Sequence, residues 1–385
     1  MVSSIIIGTV VLALWLYLIL GRGGFWLNSQ RDDGAARGPL AWPAVVAVVP
    51  ARNEADSVGD TIPSLLMQNY PGSLRIVLVD DNSNDGTAAA AARVAEATGA
   101  KDRLTILTGS TLPAGWTGKV WALAQGIDHS VRLAAAPGYL LLTDADIVHA
   151  PDNVASLVAR AEANGLVLAS LMAKLRCESF AERGLIPAFI FFFQMLYPFA
   201  WVNSPRSATA AAAGGCMLLR TEALCKAGGM DAIRDAVIDD CALAKVMKTR
   251  GPIWLGLSER VRSIRPYPAL RDIWRMVSRS AYAQLQYSLL LLFVAFAGLT
   301  LTFLAPPILA LCAGGTGRML GIVAWALMAL AFQPTLRFYR VSALWGVALP
   351  AIALVYMLFT LDSAYQYALG RGGGWKGRFQ AKVMQ

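Results

Sequence analysis

Charge is scarce in this chain. Only 15% of its 385 residues are Asp, Glu, Lys or Arg, while 56% are hydrophobic and the mean hydropathy is +0.50, more apolar than an ordinary soluble domain. Histidine is scarcer still, at two residues, and the five cysteines (Cys177, Cys216, Cys225, Cys241, Cys312) show no CxxC spacing. That combination excludes a standard zinc site, and the cysteines are expected to be reduced, packed thiols. No GxGxxG turn follows the first strand-like run, which ends in "PARNE"; this argues against a dinucleotide-dependent dehydrogenase. Also missing is a Lys/Arg-aromatic stripe. Although the net charge is +9, the basic residues gather beside apolar segments and in "SERVRSIRPYPALRDIWRMVSRS". No nucleic acid is expected as a partner; a membrane surface and anionic phosphates are.

Long apolar runs, by contrast, are plentiful. Residues 2–20, "VSSIIIGTVVLALWLYLIL", carry no charge, and a helix of about 19 residues matches the roughly 30 Å of bilayer hydrocarbon. The run reads as an N-terminal anchor. A cleaved signal peptide is the rival, but basic residues before the run and a small-x-small cleavage site are both lacking. Arg22, Arg31 and Arg37 follow, which by the positive-inside rule puts the next segment in the cytosol. The resulting division is a transmembrane helix at 1–21, a linker at 22–42, a soluble domain at 43–265, a basic amphipathic interface helix at 266–286, transmembrane helices at 287–362 and a basic tail at 363–385.

Within 287–362 three runs qualify as spans, 287–312, 319–332 and 343–361, the middle one short against the 17 or so residues usually needed. Three full spans would put the tail, with Arg371, Lys376, Arg378 and Lys382, outside the cell. A cytosolic tail is expected instead, with the middle run re-entrant or the division near Pro306-Pro307 drawn differently. A further apolar stretch, "LIPAFIFFFQMLYPFAWV" at 185–202, fits either a buried helix or one in the headgroup region. In "LRDIWRMVSRSAYAQLQY", Leu270, Ile273, Trp274, Val277, Ala281 and Leu285 recur at helical spacing, with Arg271, Arg275 and Arg279 opposite. That pattern belongs to a helix lying on the inner leaflet.

The soluble segment alternates strand-like runs ("AVVAVVP", "LRIVLVDD", "RLTILTG", "GYLLLTDAD") with helical ones ("SVGDTIPSLLMQ", "GTAAAAARVAEATG", "GKVWALAQGIDHSVRLAA"). Alternation of this kind implies an α/β, parallel, doubly wound sheet, whose ligands bind beyond the carboxyl ends of the strands. The polar clusters "PARNE", "DDNSND" and "TDAD" each follow a strand directly. All three therefore point at one crevice.

Taken in this order over about 100 residues, "VPARNE", "VDDNSNDGT" and "TDAD" resemble the nucleotide-sugar glycosyltransferases of family 2, with the GT-A fold. The resemblance implies that Pro50, Ala51, Asn53 and Glu54 border the nucleoside, that Asp81 accepts from the uracil imide N–H, and that Asp80 orients the loop. "GWTGKVWAL" is similar to the family's Gly-Lys-x-x-Ala segment, in which Lys119 approaches the donor; a solvated helix-start lysine is the plain alternative. Asp144 and Asp146 match the Asp-x-Asp that holds Mg²⁺ or Mn²⁺ against the donor diphosphate, Asp144 lying against the donor as well. A turn capped by aspartates is the bland reading. His149 could be a further ligand or a local hydrogen-bond partner.

"AVIDDCALAKVM" resembles the family's acidic pair at a helix start, with Asp240 at the position of the base and Asp239 in place of Glu. Adjacent carboxylates repel, which favours raising one pKa; helix-start acids stabilised by the dipole are the alternative. Gly214, Gly215 and Cys216 in "GGCMLLR" would let backbone pass close to the sugar. Processive members carry Gln-x-x-Arg-Trp after the pair, where this chain has "RMVSRS". Arg275 and Arg279 remain as diphosphate contacts, and single addition to a lipid is expected over polymerisation. With "TDADIVHAPDN", "IDDCALA" and "GGGWKGR", the chain looks most like the hopene-associated glycosyltransferases, themselves similar to ceramide glucosyltransferases. The implied activity is an inverting, metal-dependent transfer from a UDP-sugar to a lipid acceptor such as a hopanoid. It would take place at the bacterial inner (cytoplasmic) membrane, in a multi-pass protein whose catalytic domain faces the cytosol. The alternatives are a polyisoprenyl-phosphate glycosyltransferase and a non-catalytic membrane protein that binds nucleotide sugars.

Overall fold

The computed structural model describes residues 2–34, 38–133, 136–374 and 376; Arg37, Arg378 and Lys382 of the basic flanks lie outside them. Helix α1 (Val2–Leu20) precedes a strand-helix alternation: β1 (Val45–Ala51), α2 (Ala55–Leu66), β2 (Leu74–Asp80), α3 (Thr87–Ala97), β3 (Leu104–Thr108), α4 (Gly118–Val131) and β4 (Tyr139–Thr143). There follow β5 (Ile147–His149), α5 (Asn153–Asn164), β6 (Leu168–Lys174), α6 (Phe180–Leu196), α7 (Phe199–Val202), β7 (Cys216–Arg220), α8 (Thr221–Lys226), α9 (Asp239–Lys248) and β8 (Ile253–Ser263). Eight strands form one sheet in the order β3-β2-β1-β4-β7-β6-β8-β5.

The half built from β3, β2, β1 and β4 is parallel, with Val48 facing Val77 on one side and Leu142 on the other. Beyond it β7 runs antiparallel to both β4 and β6, so the sheet is mixed, not wholly parallel. Side chains alternate between its faces. Val46, Val48, Val77 and Val79 pack with Val120, Leu123 and Ile127 of α4; Val45, Ala47, Val49, Ile76 and Leu78 pack with α2, α3 and α5. Helix α4 approaches closely because it presents Gly126, where a Cβ would stand 2.5 Å from Val48 Cγ1. The chain leaves β1 toward β2 on one side and finds β4 on the other. A crevice at the carboxyl ends is the consequence.

The stretch 185–202 is the largely buried remainder of α6 followed, after a break at Tyr197-Pro198, by the short α7. A capping box between Ser179 and Glu182 starts α6, and Ile186, Ile190 and Phe191 sit in the core. The interface helix at 266–286 is not continuous: α10 (Leu270–Ser278) and α11 (Ala281–Gln284) are separate. Each is tied independently to α15 (Leu349–Ala368), through Trp274 Nε1 to Asp362 Oδ2 (2.8 Å) and Tyr282 N to Ser363 Oγ (3.0 Å). These bonds outweigh the local periodicity.

Three helical runs are long and apolar enough to cross a membrane among the described residues: Val2–Leu20, Leu289–Cys312 and Gly315–Tyr339. The second is α12 (Leu289–Leu299), a π-helical stretch at Thr300–Leu304, and α13 (Ala305–Cys312); the third is α14 (Gly315–Tyr339). The middle run is thus a 25-residue helix, not a short one. It is α15, carrying Asp362, that falls outside the three. Two thiols depart from the expectation of packing: Cys225 and Cys312 are exposed.

Candidate active site

A cavity of about 690 Å³ opens at the carboxyl ends of the strands. Pro50 and Glu54 reach it from the end of β1, Asp144 and Asp146 from the turn after β4, Lys119 from the first turn of α4 and Asp239 from the first turn of α9. Arg275 and Arg279 enter from α10 and the residue after it. Eight residues singled out in the sequence, drawn from five segments, share this wall.

Its centre is an ion-pair cluster. Lys119 Nζ lies 2.8 Å from Asp144 Oδ1 and 3.2 Å from Asp239 Oδ2. Burial opposes the Lys119 charge, but Asp144 and Asp239 outweigh it and hold the ammonium above the ordinary lysine range. Burial raises the Asp144 carboxyl, Lys119 works against this, and Asp146 adds to it. Asp146 Oδ2 accepts from Ser263 Oγ (3.0 Å) and Arg265 Nε (2.9 Å). Arg265 also bonds Glu54 Oε1 at 2.6 Å, so one guanidinium joins the β1 cluster to the β4 cluster.

Asp240 stands behind Asp239. Its Oδ2 accepts from Gly214 N at 2.8 Å and its Oδ1 from Cys241 N at 2.7 Å. Burial and the Asp239 carboxylate push Asp240 up to about 6, against the pull of Lys119 and the two N–H donors. Gly214 allows this close packing: a Cβ there would meet Lys119 Nζ at 3.1 Å and Asp240 Oδ2 at 3.4 Å.

Other expected residues lie near the cavity without lining it. Gly215 packs on Ile147 and Ala173, and its carbonyl accepts from Thr143 Oγ1. Ala51 is fully buried in β1. Asn53, with φ +51°, braces the next loop by donating its N–H to Ser83 Oγ (2.9 Å) and accepting from Asn84 N at its Oδ1 (3.0 Å). Asp80 Oδ1 accepts from Ser83 N at 3.0 Å, and buried Asp81 has Arg52 Nη1 3.5 Å from its Oδ2. His149 is no ligand. Its Nδ1 accepts from Asn153 Nδ2 and its Nε2 donates to Thr143 Oγ1, both at 2.9 Å, and burial pushes it down to about 3.

Sequence reasoning missed Arg265, Tyr267 and the C-terminal residues Gly373, Gly374 and Lys376, all of which line the cavity. Arg265 and Tyr267 sit in no spaced motif, whereas Gly373, Gly374 and Lys376 fall in "GGGWKGR", which carried the resemblance but was assigned no site role.

Comparison with known proteins agrees with the geometry. The model of "Glycosyl transferase family 2" matches residues 46–227, which span β1 to the residue after α8. No curated protein sequence matches significantly. Among solved structures, a mannosyltransferase from Pyrobaculum calidifontis in complex with GDP-Man and Mn²⁺ aligns over 93% of this chain and 99% of its own, at 20% identity and a TM-score of 0.55. Mannosyl-3-phosphoglycerate synthase from Rubrobacter xylanophilus (20% identity, 61% and 70% coverage, TM-score 0.37) and S. aureus TarS 1–349 with UDP-GlcNAc (14%, 89% and 98%, 0.39) align more loosely. The family 2 match over 46–227, on a GT-A-like sheet with a crevice at its strand ends, supports a glycosyltransferase.

Proposed function

We propose that the protein is a membrane-bound, metal-dependent, inverting transferase that moves a sugar from a UDP-sugar to a polar-headed lipid, such as a hopanoid, at the inner face of a bacterial cytoplasmic membrane. The observation that carries this reading is the meeting of Asp144, Asp146, Lys119 and Asp239 in one cavity, with the raised carboxyl of Asp240 directly behind.

The donor set fits a hard cation. Asp144 and Asp146 offer hard carboxylate oxygens, the kind of donor that Mg²⁺ or Mn²⁺ takes singly or in pairs beside substrate phosphates. Asp144 and Asp146 would hold it, each having one oxygen engaged by a cation. When bound, the ion neutralises the departing diphosphate. Lys119, Arg275 and Arg279 add fixed positive charge around the same space. Asp240 takes the proton from the acceptor hydroxyl, and Asp239 tunes it while held by Lys119. With one base and no nucleophile opposite, the anomeric configuration inverts.

Exposed Leu289, Leu290, Phe293, Val294, Ile308 and Leu311 on α12 and α13, with Ile6, Val10 and Leu20 on α1, form apolar surface suited to lipid. A second cavity of about 520 Å³, lined by Leu270, Arg271, Trp274, Asp362 and Gln366, shares Arg275 with the first. Its mixed lining suits an amphiphilic headgroup. The test is UDP release in detergent from UDP-glucose, UDP-galactose and UDP-N-acetylglucosamine, with and without Mn²⁺ and a hopanoid-containing lipid extract. Metal-dependent release stimulated by lipid, and lost by roughly 10²–10⁴-fold in Asp240→Asn with UDP affinity retained, is expected. A labelled polyisoprenyl phosphate as product would move the acceptor to that class. UDP binding without turnover on any acceptor would favour the non-catalytic alternative.

A further inference from the structure

Basic residues after a last apolar helix ordinarily read as a membrane flank. The fold treats this tail differently. After α15 the backbone turns through Gly370 (φ +72°) and Gly373 (φ +67°), left-handed conformations that glycine adopts without a Cβ penalty, and Gly373 and Gly374 become part of the wall of the cavity. Lys376 then docks on the loop after β1. Its Nζ lies 2.9 Å from Glu54 Oε1 and donates to Asn53 O at 3.0 Å, while its own carbonyl accepts from Arg52 Nε at 3.1 Å. Its side chain is only 25% exposed.

We propose that Gly373, Gly374 and Lys376 are part of the donor site and that Lys376 is a donor-binding residue, contacting the nucleoside diphosphate from the Glu54 side of the cavity. This rests on the nucleotide-sugar reading given above. Arg265 is shared between Glu54 (2.6 Å) and Asp146 (2.9 Å), so Lys376 supplies the second positive charge beside these two carboxylates while lining the cavity. Arg275 and Arg279 line the same cavity with no carboxylate within ion-pairing distance among the described residues. Arg275 and Arg279, the two of these cations without a carboxylate partner among the described residues, match the charge of a diphosphate, and Lys376 stands on the same wall. The three bonds from 376 to residues 52–54 fix the ammonium at the segment that leads from β1 into the cavity. A lysine tethered in this way has lost most of its rotamer entropy before the ligand arrives.

The experiment uses the full chain in detergent. Calorimetric titration with UDP and with GDP is done first on the native protein, then on Lys376→Ala and Lys376→Arg, followed by donor KM and kcat for each. The expected result is about a tenfold loss of nucleotide affinity in Lys376→Ala, the size of one charge-assisted hydrogen bond, with a matching rise in donor KM, little change in kcat, and recovery in Lys376→Arg. A merely structural tail would instead lower the unfolding midpoint and kcat while leaving nucleotide affinity in the folded fraction unchanged, which overturns the assignment. Should the native protein bind neither UDP nor GDP, the nucleotide-sugar reading fails and the proposal with it. Native binding that Lys376→Ala leaves intact removes only the role of the tail.

Discussion

Asp240 joins two demands on one side chain: it must be ionised to accept a proton, and its surroundings resist ionisation. With its carboxyl pushed up to about 6, turnover should fall as pH drops through 6, approaching tenfold per unit below it. The pH dependence of kcat checks this. Asp239→Asn removes a neighbouring negative charge, so the same limb should move to lower pH. His149 shows the opposite sign in stability. Folded, it stays neutral down to about 3, whereas the unfolded chain protonates it near 6.5. The stability it contributes is complete above 6.5 and is lost as pH falls from 6.5 toward 3. Replacing His149 with Gln should flatten acid unfolding across that window, as followed by tryptophan fluorescence. The cavity aspartates were legible because carboxylates at the end of an apolar strand have no packing role. Arg265 was not, because a single arginine carries no periodicity, and only the fold sets it between Glu54 and Asp146.

At the scale of elements, α4 brings Lys119 to the cavity because the same face of the helix, two turns further on, seats on the sheet at Gly126. Placing a methyl 2.5 Å from Val48 Cγ1 and 2.9 Å from Val79 Cγ2 forces overpacking, so Gly126→Ala should cost about 1–3 kcal/mol, read as a lowered unfolding midpoint. The parallel half of the sheet was readable from β-branched runs alternating with helical ones. Strands β7 and β8 were harder to place, since a buried strand in either direction shows the same apolar run. The break between α10 and α11 was invisible for a related reason. Spacing of Leu270, Ile273, Trp274, Val277, Ala281 and Leu285 continues a helix, while the bonds from Trp274 and Tyr282 to α15 stop it.

For the molecule as a whole, the location of the tail sets the number of crossings. Glu54 and Lys376 touch, so both must lie on one side of any membrane. If the two C-terminal helical runs long and apolar enough to cross, Leu289–Cys312 and Gly315–Tyr339, both do so, this condition is met and α15 stays on the side of the sheet domain. Exposed Cys312 ends α13, next to the turn between those helices, and exposed Cys225 lies in the last turn of α8. Single-cysteine variants in sealed vesicles should therefore react with an impermeant maleimide from opposite sides; labelling of both from one side would refute the two-span arrangement. By itself the sequence determined the α/β alternation, the polar clusters at strand ends and the abundance of apolar helix, because these follow from side-chain period and from the length of chain a bilayer needs. Tertiary structure alone decided which charges meet. Ion pairs such as Lys119 with Asp239, or Lys376 with Glu54, join residues more than a hundred positions apart, and Coulomb's law depends on distance in space, which no local pattern records.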